Sequence, residues 1–166
     1  ELAETLSTLA DTRDQQINRM APRGFAKSTL VSKAYPLWAA LEGKERYSLL
    51  LSDTGKQAAT FIKAIKREVE TNPRIAQAYP HAAGVGPEWR SDLIVLRNGC
   101  MIAAVGAAGR IRGLTNNESR PTHVGIDDAN KREDAYSPTM RQRVLEWLRE
   151  DVLPAGEPGT NFFCVG

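Results

Sequence analysis

Cysteine is scarce in this chain. Its two copies among 166 residues, Cys100 and Cys164, lie far apart, and neither has a second cysteine or a histidine at metal-ligand spacing. That excludes a disulfide framework and a structural zinc site, and predicts two buried thiols in a reducing compartment. Histidine is equally scarce: His81 and His123 stand isolated, and neither is given a ligand role. Long apolar runs are missing too, and none approaches the roughly 20 residues that span a bilayer. The opening stretch from Glu1 to Gln16 is polar and mixed in charge, unlike a secretory signal. A charge excess is also absent. Lys and Arg number 22 against 20 Asp and Glu, a formal +2 that by itself gives no argument for nucleic-acid binding. Internal repeats and low-complexity tracts are not found.

What is present is the ordinary mixture of a globular domain, long enough for one real core and not comfortably for two. The expectation is therefore a single domain over 1–166. The chain starts with Glu and stops at Val165-Gly166, directly after an apolar run that reads as a buried strand. It is expected to be a piece of something longer.

Strands and helices alternate along the chain. Leu2 to Leu9 has helical spacing, and Gln15 to Ala21 is a moderately polar first strand broken by Pro22-Arg23-Gly24. A helix is expected from Lys27 to Leu41, with Leu30, Ala34, Leu37, Trp38 and Leu41 on one face and a kink at Pro36. Tyr47 to Leu51 is nearly continuous in apolar residues, as strands buried on both faces are. Ser52-Asp53-Thr54 can cap a helix reaching about Glu70, which Asn72-Pro73 stops. Ala82 to Pro87 reads as a Gly/Pro loop. Asp92 to Leu96 and Cys100 to Val105 flank Asn98-Gly99, a hairpin signal. Thr122 to Ile126 is another strand, Ser137-Pro138 starts a helix to about Asp151, and Asn161 to Val165 is the last strand. The alternation argues for an α/β layered fold.

The chemistry is concentrated in Ala21-Pro22-Arg23-Gly24-Phe25-Ala26-Lys27-Ser28-Thr29. A phosphate-binding loop needs backbone N–H groups curled around the phosphates, a Lys that reaches the β and γ oxygens, and a hydroxyl for Mg²⁺. The helix that follows adds partial positive charge where the anion sits. Here Lys27 is the cation and Ser28 the hydroxyl, between a strand and a helix. Ala21 and Ala26 replace the two glycines of the pattern, so pattern alone leaves a polar turn and ordinary helix-opening residues as the alternative. A second element adds to the case. Val124-Gly125-Ile126-Asp127-Asp128 is an apolar strand ending in two acids, about a hundred residues on. Asp127 would orient the water shell of Mg²⁺, and Asp128 would polarise the attacking water. Acids at the carboxyl end of a central strand lie where α/β sheets bind ligands, although a solvated turn also ends in such residues.

Taken together, the chain resembles the large terminase subunits of tailed bacteriophages and prophages. The resemblance is carried by Pro22 to Thr29, similar to that family's deviant Walker A loop, and by Leu50-Leu51-Ser52-Asp53-Thr54 with Gln57-Ala58. It continues through Gly109-Arg110-Ile111-Arg112-Gly113-Leu114, Arg120-Pro121, Gly125-Ile126-Asp127-Asp128, and Ser137-Pro138 with Glu146-Trp147, in the family's order. It implies a P-loop NTPase of RecA-like, ASCE type: a three-layer sandwich around a mostly parallel sheet. It implies an Mg²⁺-dependent ATPase that drives double-stranded DNA into a procapsid. The portal protein and the small terminase subunit would be partners, with a homo-oligomeric ring when assembled, in the host bacterial cytoplasm and away from membranes. Pro22, Arg23, Gly24, Phe25, Ala26, Lys27, Ser28 and Thr29 would cradle ATP, and Ser28 and Asp127 would hold the metal. Asp128, Arg23 and Lys27 would act in hydrolysis, Arg23 on the γ-phosphate from within the loop. Arg112 and Arg132 are candidates for reaching a neighbouring subunit's nucleotide. The family's nuclease domain and the Thr or Ser that couples hydrolysis to movement would follow Gly166. A helicase-like P-loop translocase and a degenerate nucleotide-binding prophage remnant are the alternatives.

Other residues carry weaker readings. Gln15 and Gln16 stand where some P-loop motors read adenine, or are a polar strand edge. Trp38 and Trp147 fall on apolar helix faces and are expected in the core. Trp89-Arg90 is a loop anchor or a DNA contact. Lys63, Lys66 and Arg67 read as a wet helix face.

Overall fold

The computed structural model describes residues 2–20, 26–107, 109, 111, 119–127 and 137–166. Strand β2 (Tyr47–Ser52) is buried at every position. Such burial requires paired strands on both edges and helices on both faces, which is why its sequence runs apolar rather than alternating. Its neighbours are β5 (Met101–Gly106) and β6 (His123–Asp127), both parallel to it. Beyond β6 come β7 (Asn161–Val165) and then β1 (Gln16–Arg19), again parallel. Beyond β5 the sheet turns antiparallel through β4 (Leu93–Leu96) to the edge strand β3 (Val85–Trp89). The order of the seven strands is β1-β7-β6-β2-β5-β4-β3. This is an α/β fold on a mostly parallel sheet, as the alternating pattern predicts.

Alternation along the strands sorts side chains between two helical layers. Leu50 of β2 joins Leu37, Ala40 and Leu41 of α3 (Tyr35–Leu41) and Phe61, Ile62 and Ile65 of α4 (Gly55–Thr71). On that same side α1 (Leu2–Ala10) packs Leu6 and Leu9 against Phe163 and Val165 of β7. Leu49 and Leu51 face the other way, to Val124, Ile126 and Trp147, the last residue of α6 (Pro138–Trp147). Each fully buried Leu, Ile or Phe contributes about 1.5–3 kcal/mol relative to exposure. Thr54 caps α4 by accepting the Gln57 N–H at 3.1 Å, worth about 1 kcal/mol.

The amino edge of the sheet is tied by a buried polar cluster. Glu45, just before β2, is wholly buried. Its Oε1 accepts from Arg13 Nη1 at 2.8 Å, from the Tyr35 hydroxyl at 3.4 Å and from Asn161 Nδ2 at 3.4 Å. Asn161 Nδ2 also donates to the carbonyls of Leu9 and Thr12, so the end of α1 is fastened to β7. Arg13 is half-exposed in this pair, so it is the wholly buried Glu45 carboxylate that depends on these donors to offset its desolvation.

Several elements differ from the sequence expectations. The loop expected over Ala82 to Pro87 overlaps the edge strand β3 from Val85 on; Pro87 is tolerated there because an edge strand need not donate on both sides. Asn72-Pro73 does end α4, but it also opens α5 (Pro73–Ala78): the Asn72 side chain accepts the Arg74 N–H at 3.0 Å, and Pro73 sits in the first turn. The hairpin closes through three residues, with Gly99 at φ 86° and the Gly99 N–H on Leu96 O. The helix after the loop is α2 (Lys27–Thr29), then a π turn at Leu30–Ala34, then α3. The interruption expected at Pro36 is this π turn: Tyr35 N–H reaches back to Leu30 O. Val31, Tyr35 and Ala39 form a second buried stripe against β7; of the expected face Leu37 and Leu41 are buried, Leu30 and Trp38 are half-buried and Ala34 is exposed. Cys100 is buried, which pushes its thiol up, whereas Cys164 is half-buried; neither forms a disulfide.

His123 opens β6 beside the Glu45 cluster. Its Nδ1 lies 3.3 Å from Ser48 Oγ, and its ring meets the Tyr35 ring edge-on at 4.9 Å. Nε2 has no partner among the described residues. Burial, and after it the Arg13 charge, pushes the imidazole from 6.5 down to about 3. Between those values the unfolded chain binds a proton that the folded chain refuses. The fold therefore keeps this contribution above the unfolded value and loses it as pH falls, by up to about 1.4 kcal/mol per unit. His123→Asn is expected to flatten the acid limb of unfolding free energy from about pH 6.5 to about pH 4. Denaturant titrations showing the same slope in both proteins would place the acid sensitivity elsewhere.

Candidate functional site

The parallel register aligns the carboxyl ends of five strands. Arg19, Val165, Asp127, Ser52 and Gly106 stand in one row across β1, β7, β6, β2 and β5. This row is the carboxyl edge of the parallel strands, the place where open α/β sheets bind ligands. β1 and β6 are separated only by β7, so their ends lie about 10 Å apart. The chain leaving β1 returns as the helix that opens at Lys27, and that helix crosses the sheet face carrying His123, Gly125 and Asp127.

One contact joins the helix that follows the first motif to the acid of the second. Ser32 Oγ donates to Asp127 Oδ2 at 3.0 Å, with both residues buried. Ser52, the register partner of Asp127 on β2, is buried as well, so three polar residues cluster at the carboxyl edge. A carboxylate there has to be met by donors or cations to offset its desolvation. Ser32 was not among the residues the sequence singled out. Ser28 precedes it by four residues and so lies one turn nearer the loop on a similar face of the helix.

The loop end of the helix has its own signature. Ala26 sits in the left-handed region at φ 53° and ψ 26°, and no side chain caps the helix it opens. Glycine reaches that region without a steric penalty, whereas an L side chain pays about 1–2 kcal/mol. Ala26 occupies the position where a phosphate-binding loop has its second glycine, and it adopts the backbone that glycine would supply. Lys27 follows as the first residue of α2, half-buried, and then come Ser28, half-buried, and Thr29, exposed. A hydroxyl and a carboxylate are hard oxygen donors that suit Mg²⁺, and an ammonium suits a polyphosphate. This donor set fits Mg·ATP. Pro22, Arg23, Gly24, Phe25, Asp128, Arg112 and Arg132 lie outside the described residues.

The remaining candidates are placed elsewhere. Gln15 is at the amino end of β1, opposite the loop; its Nε2 donates to Arg13 O at 2.9 Å and its N–H to Asn161 Oδ1 at 3.2 Å, so it is a polar strand edge. Trp147 is in the core, with no partner for its Nε1 among the described residues. Trp38 packs half-buried against the core between α1 and β7; it also lines a 760 Å³ apolar cleft between α3, α4 and α5, and Lys44 Nζ lies 5.4 Å from its ring centre. Trp89 is an anchor: Nε1 donates to Glu70 at 2.8 Å, and Lys66 lies over the ring while donating to Trp89 O at 2.9 Å and Arg90 O at 3.0 Å. Lys66 is therefore a clamp between α4 and β3, not part of a wet face. Arg90 pairs with Glu88 and Asp92. Among the described residues no three acids, histidines or cysteines group as a metal site, and no helix is long and apolar enough to cross a membrane.

Compared with known proteins, the chain matches no family model and no curated protein significantly. The site is therefore argued from its own residues.

Replacing Ala26 with glycine relieves the left-handed strain and returns part of the gain as chain entropy, for a net stabilisation of about 0.5–1 kcal/mol. Denaturant unfolding of Ala26→Gly measures this, and a loss of stability would show that residue 26 is not held left-handed.

Proposed function

We propose that this chain is the ATP-hydrolysing motor domain of a phage or prophage large terminase subunit, a P-loop fold of RecA-like, ASCE type. The observation that carries the reading is the Ser32–Asp127 bond, which brings the helix following the loop onto the acidic tip of β6. Two motifs about a hundred residues apart thus converge on one edge of the sheet. The strand order adds support: β7 stands between the loop-bearing β1 and the acid-bearing β6, and one inserted strand at that place is what the ASCE type implies. Ala26, bent as the missing glycine would be, supports the loop assignment from the other side.

In this reading the chain's groups divide the work by chemistry. Lys27 holds the terminal phosphates as a compact cation at the opening of the helix. Ser28 supplies a hydroxyl to the metal, and Asp127 orients the metal's water shell. Mg²⁺, when bound, offsets the charge on the β and γ oxygens. Arg23 offsets γ-phosphate charge from within the loop, and Asp128 polarises the attacking water; these two roles rest on sequence position. The step from ATP hydrolysis to pushing double-stranded DNA, with a portal, a small subunit and a ring as partners, rests on the ordered resemblance along the chain. Movement along DNA would use the phosphate backbone, so binding would weaken steeply with salt and show no sequence preference.

Lys27→Ala is expected to abolish ATP hydrolysis and most Mg·ATP affinity, and retained turnover would remove the phosphate-loop assignment. Asp128→Asn is expected to leave Mg·ATP binding nearly intact and slow hydrolysis by about 10²–10⁴-fold. Steady-state kinetics beside equilibrium binding separates the two, and equal losses in both would deny Asp128 the water-polarising role.

A further inference from the structure

We infer that Ser32 is a positioning residue for the metal site: it fixes the rotation of the Asp127 carboxylate and so sets how tightly the site takes Mg²⁺. The inference rests on the nucleotide-binding reading above and deepens it. Ser32 is buried, with 1% of its surface exposed, and Asp127 has 2%. A serine so placed inside a helix would ordinarily bond to the carbonyl four residues back. Here its hydroxyl is directed across to another element, onto Asp127 Oδ2 at 3.0 Å.

The backbone explains how it gets there. Ser32 is the middle residue of the π turn Leu30–Ala34, which adds a residue to the helical repeat and turns residue 32 toward the sheet. Tyr35, at the start of α3, is held by Glu45 and the His123 ring at the amino end of the same strand. The helix is thus seated against β6 below Ser32, and the hydroxyl has little freedom to leave the carboxylate. A carboxylate offers about four acceptor sites on two oxygens, and the bond from Ser32 constrains its plane while occupying one of them. Without that hydroxyl the carboxylate has one restraint fewer on its rotation about χ2 and loses affinity through the added freedom. Groups that orient a metal-binding residue in this way typically account for about 10–100-fold in metal affinity.

The test is the Mg²⁺ dependence of nucleotide binding. N-methylanthraniloyl-ADP is titrated by fluorescence onto the wild-type chain, Ser32→Ala, Asp127→Asn and the double variant, in EDTA and across a Mg²⁺ series. Thermal melts without ligand accompany each protein. The expected result is an Mg²⁺ half-saturation raised about 10-fold or more in Ser32→Ala, with binding in EDTA unchanged. In the Asp127→Asn background, Ser32→Ala is expected to change nothing further, because its effect acts through the carboxylate. Ser32→Thr keeps the hydroxyl and is expected to recover the wild-type Mg²⁺ dependence. An unchanged half-saturation in a folded Ser32→Ala overturns the inference, as does an equal effect in the two backgrounds. Wild-type chain that binds no nucleotide, with or without Mg²⁺, overturns the nucleotide-site reading and this inference with it.

Discussion

A strand with a two-residue period presents every second side chain to the same layer, and in β6 those residues are His123, Gly125 and Asp127. All three face the helix that opens at Lys27. The middle one leaves almost no room: a Cβ on Gly125 would stand 3.2 Å from His123 Cε1 and 3.3 Å from Leu50 Cδ2. The outer two carry the polar contacts, His123 with Tyr35 and Asp127 with Ser32. The seating of that helix on that strand decides where the proposed phosphate loop can be, because that segment joins the end of β1 to the helix's first turn. Every functional assignment made for Lys27, Ser28 and Asp127 depends on that seating.

The two edges of the sheet use similar residues for different ends. At the amino edge Glu45, Arg13, Asn161 and Tyr35 are bonded to one another, and they fasten α1 to the sheet. The Glu45 carboxylate is buried while its Arg13 partner is half-exposed, and the three donors together offset the carboxylate's desolvation. At the carboxyl edge Ser32, Ser52 and Asp127 bring one buried carboxylate and two hydroxyls together, and the Ser32 hydroxyl donates to the carboxylate. Oxygen donors of this kind suit a hard cation.

Much of the architecture was legible because its signals are local. The apolar run of β2, the Asn98-Gly99 turn, the Thr54 cap and the Ser137-Pro138 start each state their element within a few residues. The same locality explains the misses. Gly84, Gly86 and Pro87 speak for a loop, and only the presence of β4 alongside turns that stretch into an edge strand. Asn72-Pro73 serves as both a stop and a start, which a reading that looks only backwards takes as a stop. Lys66 looked solvated because nothing in its own helix shows that Trp89 lies above it. At the proposed site, Lys27 and Asp127 were singled out in the sequence by their motif chemistry. Ser32 was not, since a serine inside a helix has no pattern of its own. Its meaning comes from the π turn and from the register that sets Asp127 opposite it.

That π turn has a structural consequence of its own. An α-helix advances about 100° per residue, so one additional residue in a turn shifts everything before it by roughly that angle relative to everything after it. The segment from Tyr35 onward keys its orientation to the core through Leu37, Ala40 and Leu41. The segment from Lys27 to Thr29 therefore has a rotational phase of its own, set apart from that of the buried half. The apolar pattern of one half therefore does not fix which face the other half turns to the sheet, and the two halves of one helix are free to diverge in sequence along separate lines.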